Sequence, residues 1–264
     1  MGKVTSRDST TIAFGRSGQG QPVILVDGAL CSRAFGPVSQ LAQLLAQRFT
    51  VYHYDRRGRN ESGDQAPYAI EREFEDLEAV LQEAGGSAFV FGLSSGAALA
   101  LEAANRLTGI KKLALYEAPF LVDDTYPPLP ADYLAQLKAL VAADRRSDAV
   151  KMFMKRVGAP SFFVAVMQLM PVWAKLKAVA PTLVYDIAIV EGNQVGRPLQ
   201  AHRWSSVTVP TLVYAGGKSP VWIRNGMKAL TDTIPNAKLR VLEGQTHMIK
   251  PKVLAPVLVE FFQS

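Results

Sequence analysis

Short apolar runs alternate with longer segments of helical periodicity through the first half of the chain and again near its end. Alternation of this kind predicts a mostly parallel, doubly wound sheet with helices on both faces, an α/β fold. The apolar runs predict strands at residues 11–14, 22–27, 50–54, 88–91, 112–116, 209–214 and 238–242. The helical patterns lie at residues 38–47, 70–84, 95–107, 223–233 and 251–262.

The alternation stops between residues 120 and 205. Three prolines at 127, 128 and 130 interrupt the chain, and helical patterns rich in Met, Phe, Trp and Leu follow at 131–143, 147–157, 161–169 and 172–189. An insertion that follows a strand of an α/β sheet lies on the side where such sheets bind ligands. We interpret residues 120–205 as a helical lid (the lid segment) on a core of residues 1–119 and 206–264.

The amino-acid composition and net charge restrict the classes of protein to which this chain can belong. The 264 residues are 48% apolar and 20% charged, which is typical of one globular domain carrying an insertion. The net charge of +6 is spread over the chain, and its densest group is Arg56-Arg57-Gly58-Arg59 in one predicted loop. Without a basic stripe interleaved with aromatics, we interpret these cations as a solvated basic surface and expect no nucleic-acid partner.

The cysteine content and the hydropathy of the chain indicate in which cellular compartment the protein is expected. Cys31 is the only cysteine, so an internal disulfide is excluded, and we interpret it as a small buried residue. The first residues carry no apolar core of a secretory signal, and no apolar stretch is long enough to span a bilayer. We therefore expect a cytoplasmic protein with no membrane partner.

The most informative motif is Gly92-Leu93-Ser94-Ser95-Gly96. It joins a predicted buried strand directly to an Ala/Leu-rich helix. A Gly-x-Ser-x-Gly turn in this strand–turn–helix context is a nucleophile elbow, in which a tight turn presents the serine hydroxyl above the sheet. Ser94 is therefore the candidate nucleophile.

A serine hydroxyl reacts well only when a base removes its proton during attack. The chain offers three histidines. His53 lies within a predicted strand, where packing in the sheet is the simpler interpretation, and His202 lies at the end of the lid segment. His247 follows the last predicted strand, so we assign it as the general base.

Cofactor sites are poorly supported. The turn-rich segment 15–20 lies between two strands and lacks the following helix and Lys-Ser/Thr pair of a phosphate loop. No His/Cys/Asp cluster has metal-ligand spacing, and no dinucleotide fingerprint has its acidic partner. We expect neither a metal nor a cofactor.

Taken together, the elbow, the Tyr54–Gly63 loop, the segment ending in Thr246-His247 and the mid-chain helices resemble the α/β-hydrolase superfamily over essentially the whole chain. The resemblance is to small, cofactor-free bacterial esterases, lactonases and haloalkane dehalogenases. Dehalogenases and epoxide hydrolases use an aspartate nucleophile, so Ser94 favours serine-type acyl transfer.

The resemblance also implies a catalytic acid, and here the chain departs from the common pattern. The usual aspartate would follow the strand at 211–215, where this chain reads Gly216-Gly217-Lys218-Ser219. The superfamily has a second position, at the tip of the strand after the nucleophile helix, and Glu117 occupies it. We predict that Glu117 orients His247, with Asp123 and Asp124 as the alternatives.

For the oxyanion hole, relatives commonly carry His-Gly after the second core strand, whereas this chain reads Asp27-Gly28-Ala29-Leu30. Backbone N–H groups do this work, so the N–H groups of Ala29 and Ser95 are the predicted donors. Asp27 in place of the histidine leaves the conformation of that loop open.

These residues predict a serine hydrolase that cleaves a small to medium, largely apolar carboxylic ester or lactone. Two alternatives remain: a perhydrolase, haloperoxidase or lyase on the same triad, and a hydrolase-like ligand receptor with slow turnover. Fold alone does not decide among them. The predicted substrate-contacting residues are Leu30, Leu93, Met154, Trp173 and Met248.

Overall fold

The computed structural model describes all residues from Met1 to Ser264. Its sheet has eight strands, one more than the apolar runs predict. The additional strand, Gly2–Thr5, is short and half exposed at the sheet edge, so its sequence carries no apolar run. The strands are β1 Gly2–Thr5, β2 Thr11–Ser17, β3 Pro22–Val26, β4 Thr50–Tyr54, β5 Ala88–Leu93, β6 Ile110–Tyr116, β7 Thr211–Gly216 and β8 Ala237–Leu242.

Ten α-helices accompany the sheet, five of them in the lid segment. The helix predicted at residues 172–189 is wrong in one respect: a 3₁₀ turn at Ala180–Thr182 divides it. Pro181 explains the break, because proline lacks the N–H that a continuous helix requires. The helices are α1 Pro37–Leu45, α2 Ile70–Glu83, α3 Ser95–Ala104, α4 Tyr133–Ala142, α5 Arg146–Arg156, α6 Ser161–Met167, α7 Val172–Val179, α8 Leu183–Val190, α9 Val221–Thr233 and α10 Pro251–Gln263.

The strands are ordered β1-β2-β4-β3-β5-β6-β7-β8 across the sheet. Only the pairs β1–β2 and β2–β4 are antiparallel, and all other neighbours run parallel. The carboxyl ends of β3, β5, β6, β7 and β8 therefore meet at one edge of the sheet, where α/β proteins build their sites.

Helices cover both faces of the sheet, which confirms the predicted α/β fold. On one face α2, α3 and α9 close the larger apolar cluster, and on the other α1 and α10 close the second. The central strand β5 is buried along its whole length because both of its faces are covered, and its continuous apolar run follows from that position.

The lid segment has an apolar cluster of its own, which includes Leu30 from the loop after β3. Helix α6 and the turn after it expose several apolar side chains to solvent, among them Phe162 in the helix and Leu169 in the turn, at 77% and 88% exposure. No single helix of the chain has the length and apolarity to cross a membrane; only the bent pair Ser161–Met167 and Val172–Asn193, at 101°, passes by length and composition.

Candidate active site

Ser94 lies on the turn between β5 and α3, at a backbone conformation that is rare for a residue with a side chain (φ 57°, ψ −126°). Two glycines permit the turn. A Cβ at Gly92 would collide with the backbone of Gly96, and a Cβ at Gly96 would collide with the carbonyl oxygens of Val26 and Asp27. The backbones of β3, β5 and α3 can therefore approach closely enough to expose the serine side chain.

The structure brings Ser94, His247 and Glu117 into one hydrogen-bonded chain. His247 Nε2 lies 3.2 Å from Ser94 Oγ, and His247 Nδ1 lies 2.8 Å from Glu117 Oε2. A carboxylate can only accept, so Nδ1 carries the proton and donates to Glu117. In the neutral imidazole Nε2 is then free to accept the proton of the serine hydroxyl.

Both carboxylate oxygens of Glu117 accept a hydrogen bond. It follows β6, is fully buried and has a positive φ of 49°. While Oε2 faces His247, Oε1 accepts the backbone N–H of Gly216 at 2.6 Å. A buried carboxylate needs such partners, and two donors, one on β7 and one on the loop after β8, fix its orientation.

The loop that carries His247 is tied to the sheet next to the acid. Tyr116, the residue before Glu117, donates its phenolic O–H to the Thr246 carbonyl oxygen at 2.7 Å. On the other side, the backbone N–H of Lys218 donates to the Gln245 carbonyl at 2.8 Å. The imidazole remains accessible, with 36% of its side-chain surface exposed.

The alternative acids lie elsewhere. Asp123 accepts hydrogen bonds from the Thr125 backbone and from Asn225, and Asp124 is exposed. Neither forms a hydrogen bond with His247. Ser219, at the position where the resemblance implies the usual aspartate, is buried and its hydroxyl has no partner.

The two remaining histidines also lie apart from Ser94. His53 is buried in β4, and its Nε2 lies 2.6 Å from Asp27 Oδ2. That pair anchors Asp27, which directly follows β3, to the neighbouring strand β4. His202 sits in a turn of the lid segment at a φ of 64° and is exposed.

The loop after β3 lies directly against the serine. A Cβ at Gly28 would be 2.9 Å from Ser94 Cβ and 3.6 Å from Ser94 Oγ. Neither the Ala29 N–H nor the Ser95 N–H donates a hydrogen bond to another protein group. Two backbone donors near the serine are therefore available, one of them at the positive end of α3.

The arginines of the Arg56–Arg59 loop are buried, so their assignment to a solvated basic surface is wrong. Arg56 is bound by Glu73 through two hydrogen bonds of 2.6 and 2.8 Å, and Arg57 is bound by Asp76 in the same way at 2.8 and 2.7 Å. Arg59 reaches Asp186 of α8, which sequence reasoning did not single out. Planar, bidentate pairing explains why Arg56 and Arg57 are arginine and not lysine.

The five predicted substrate-contacting residues occupy different environments. Leu30 and Trp173 pack within the apolar cluster of the lid segment, and Met154 packs against it. Leu93 lies in the apolar layer under α1 and α10, whereas Met248, beside His247, is 75% exposed. Their contact with substrate remains a prediction. No three His, Cys, Asp or Glu side chains are grouped to hold a metal ion.

Cys31 should react slowly with thiol reagents in the native protein. Cys31 is half-buried and not, as predicted, buried. Desolvation, assisted by the charge of Asp27, raises the pKa of its thiol well above its usual range, so almost no reactive thiolate is present near pH 8. We expect a disulfide reagent such as 5,5′-dithiobis(2-nitrobenzoate) to label it at least 100-fold faster after denaturation. Rapid stoichiometric labelling of the folded protein would contradict the raised pKa of this thiol.

Comparison with known proteins gives consistent matches. A sequence model of the alpha/beta hydrolase family matches residues 23–256. A solved structure, an alpha/beta hydrolase from Sphaerobacter thermophilus, is 53% identical, has a TM-score of 0.91, and the alignment covers 99% of this chain and 100% of that one. No curated protein matches the sequence significantly.

More distant solved structures share the fold. An esterase from Exiguobacterium antarcticum is 22% identical with a TM-score of 0.75. An enol-lactonase from Burkholderia xenovorans is 16% identical, also with a TM-score of 0.75. In both cases the alignment covers the whole of this chain and the whole of the other. At these identities the likeness shows a common architecture and no more.

Proposed function

Because this chain belongs to the alpha/beta hydrolase family, as its motifs predicted, we propose that it is a serine hydrolase that cleaves a carboxylic ester or lactone through an acyl-enzyme. One observation carries the proposal: the unbroken hydrogen-bond chain from Ser94 through His247 to Glu117. A hydroxyl, an imidazole and a buried carboxylate in this order are the parts that acyl transfer to serine requires.

In the first step, Ser94 Oγ attacks the substrate carbonyl carbon while His247 Nε2 takes the hydroxyl proton. The imidazolium that forms is stabilised by the Glu117 carboxylate on its Nδ1 side. The carbonyl electrons move to oxygen, and the N–H groups of Ala29 and Ser95 bind the oxyanion. Removing one such donor typically costs about 2.7–4 kcal/mol of transition-state stabilisation.

Collapse of the tetrahedral intermediate breaks the bond to the alcohol oxygen, and His247 returns its proton to that leaving group. The acyl group is now bound to Ser94 Oγ. A water molecule deprotonated by His247 then attacks the ester carbon, and the carboxylic acid leaves as Ser94 regains its proton. With a lactone, acid and alcohol remain parts of one product.

Two observations support the proposed substrate class. The distant structural neighbours include proteins named as an esterase and as an enol-lactonase. The lid segment adds an apolar cluster that includes Leu30, next to the proposed oxyanion donor Ala29. A site with mostly apolar walls and few polar anchors suits a small to medium, largely apolar acyl group.

The proposal is tested by labelling the intact protein with a biotinylated fluorophosphonate. Ser94 Oγ should displace fluoride, form a stable oxygen–phosphorus bond and give one adduct per chain, mapped by peptide mass spectrometry to Ser94. Heat-denatured protein is the control and should not be labelled, since the reactivity depends on the assembled His247. An absent adduct, or an adduct on another residue, would refute the assignment.

Substrate preference is then measured on p-nitrophenyl esters of increasing acyl length and on lactones of increasing ring size. We expect multiple turnover on at least one series. Peroxide- and halide-dependent bromination in the absence of ester turnover would favour the haloperoxidase alternative. Tight ligand binding without repeated turnover would favour the receptor.

A further inference from the structure

A carboxylate of the lid segment connects the two backbone segments that the proposed function uses as its oxyanion hole. Asp186, in α8, is 1% exposed. Its Oδ1 accepts the hydroxyl of Ser95 at 2.7 Å and Nη1 of Arg56 at 2.6 Å. Nη2 of Arg59 lies 2.8 Å from both carboxylate oxygens. Burial would raise the pKa of Asp186, but the charges of Arg59 and Arg56 outweigh it and hold the pKa below its usual value.

Arg59 transmits this anchoring to the loop after β3. Besides Asp186, its guanidinium donates through Nε to Thr182 Oγ1 at 3.1 Å, and through Nη1 to the carbonyl oxygens of Gly28 at 2.6 Å and Cys31 at 3.0 Å. The N–H donors of a guanidinium are fixed in one plane, and all three of its nitrogens have an acceptor here. Once Asp186 fixes that plane, the position of Nη1 is fixed as well.

The direction of the Ala29 N–H follows from the Gly28 carbonyl. The peptide bond between them is trans, so its C=O and N–H point in opposite directions. Holding the Gly28 oxygen against Arg59 therefore turns the Ala29 N–H away from Arg59. The same loop residue, Gly28, packs on Ser94, so this peptide is held at the edge of the reacting group.

We infer that Asp186 is a positioning residue for the oxyanion hole: through Arg59 it orients the Gly28–Ala29 peptide, and through the Ser95 hydroxyl it holds the first turn of α3. Both proposed donors are thereby set by one lid carboxylate. This inference rests on the proposed function. It also explains why the loop tolerates Leu30 at a positive φ of 60°, since strained backbone persists only where its surroundings hold it.

The test is Asp186→Asn, which keeps the side-chain shape but removes the charge and one of two acceptors. We expect kcat/KM for an activated ester to fall about 10- to 100-fold, with KM changed less than twofold, because oxyanion contacts act in the transition state. The affinity for a trifluoromethyl ketone analogue of that ester should fall by the same factor. A thionoester, whose sulfur uses the N–H donors poorly, should lose less than threefold.

Asp76→Asn is the matched control. It breaks the buried, bidentate pair with Arg57 in the same loop, but this pair touches neither Ala29 nor Ser95. We expect a lower melting temperature with an ester-to-thionoester rate ratio within twofold of the parent. General damage to the loop would lower both rates together in either variant.

If Asp186→Asn does not fold, Arg59→Lys replaces it, since lysine keeps the charge but cannot reach Asp186 and the Gly28 carbonyl at once. The same selective loss of ester turnover is expected. The inference is overturned if the folded variant keeps kcat/KM and inhibitor affinity within twofold, or if ester and thionoester rates fall equally. Fluorophosphonate labelling of the parent at Ser94 decides the proposed function separately, so the two failures can be told apart.

Discussion

Replacing Ser94 with alanine is expected to lower kcat for an activated acyl ester by about 10⁵- to 10⁶-fold, the loss seen when a triad nucleophile is removed. No other hydroxyl is hydrogen-bonded to His247, so the acyl group would have no acceptor. Stability should hardly change, because alanine leaves the backbone turn and its glycine contacts in place. The measurement is steady-state hydrolysis of p-nitrophenyl acetate together with a thermal melt.

Ser161→Ala is the control, since it deletes a hydroxyl from the exposed start of α6. Its turnover should equal that of the parent. Should Ser94→Ala retain more than about a hundredth of the parent rate while folded, the hydrolysis would have to proceed without an acyl-serine, and the proposed mechanism would fail.

Glu117→Gln is expected to lower kcat by about 10³- to 10⁴-fold, as the loss of the charged triad acid does elsewhere. The structure supplies a specific reason. Glu117 accepts from two donors, His247 Nδ1 and the Gly216 N–H, whereas a glutamine offers one oxygen and one NH₂ group. If the glutamine NH₂ group faces Gly216, the Gly216 N–H loses its acceptor. If the NH₂ group faces His247 Nδ1, the imidazole proton moves to Nε2, which can then no longer accept the proton of Ser94.

The control for Glu117 is Ser219→Ala, at the position where the resemblance implies the usual aspartate. Its hydroxyl has no hydrogen-bond partner, so turnover should stay within a factor of two or three. The reverse pattern, an inactive Ser219→Ala and an active Glu117→Gln, would mean that the acid had been assigned to the wrong strand. Loss of one buried acceptor would also lower the stability of Glu117→Gln by about 1–3 kcal/mol.

Much of the architecture was predictable because the signals are local. The apolar runs of β5 and β6 and the Gly-Leu-Ser-Ser-Gly turn depend on consecutive residues, and Ser94 follows from them. Strand β1 escaped prediction since a half-exposed edge strand has no apolar run. The helix break at Pro181 could have been predicted, because a proline inside a helical pattern indicates an interruption.

The buried charges could not be predicted in the same way. Asp186 meets Arg59 across more than a hundred positions of sequence, and no local pattern marks such a pair. A weaker signal was present: Glu73 and Asp76 interrupt the apolar face of α2, and both are 1% exposed. Acidic residues on the inner side of a helix need cations, and the nearest unassigned ones were the arginines of the preceding loop.

The lid segment leaves the sheet after β6 and returns in β7, and these two strands are hydrogen-bonded neighbours. Because this connection begins and ends on neighbouring strands, its length and sequence can change without altering the spacing of the strands. A different helical segment could therefore be inserted at the same place without changing the sheet. Any such replacement segment would have to meet one condition: it must place a carboxylate where Asp186 now contacts Arg56 and Arg59.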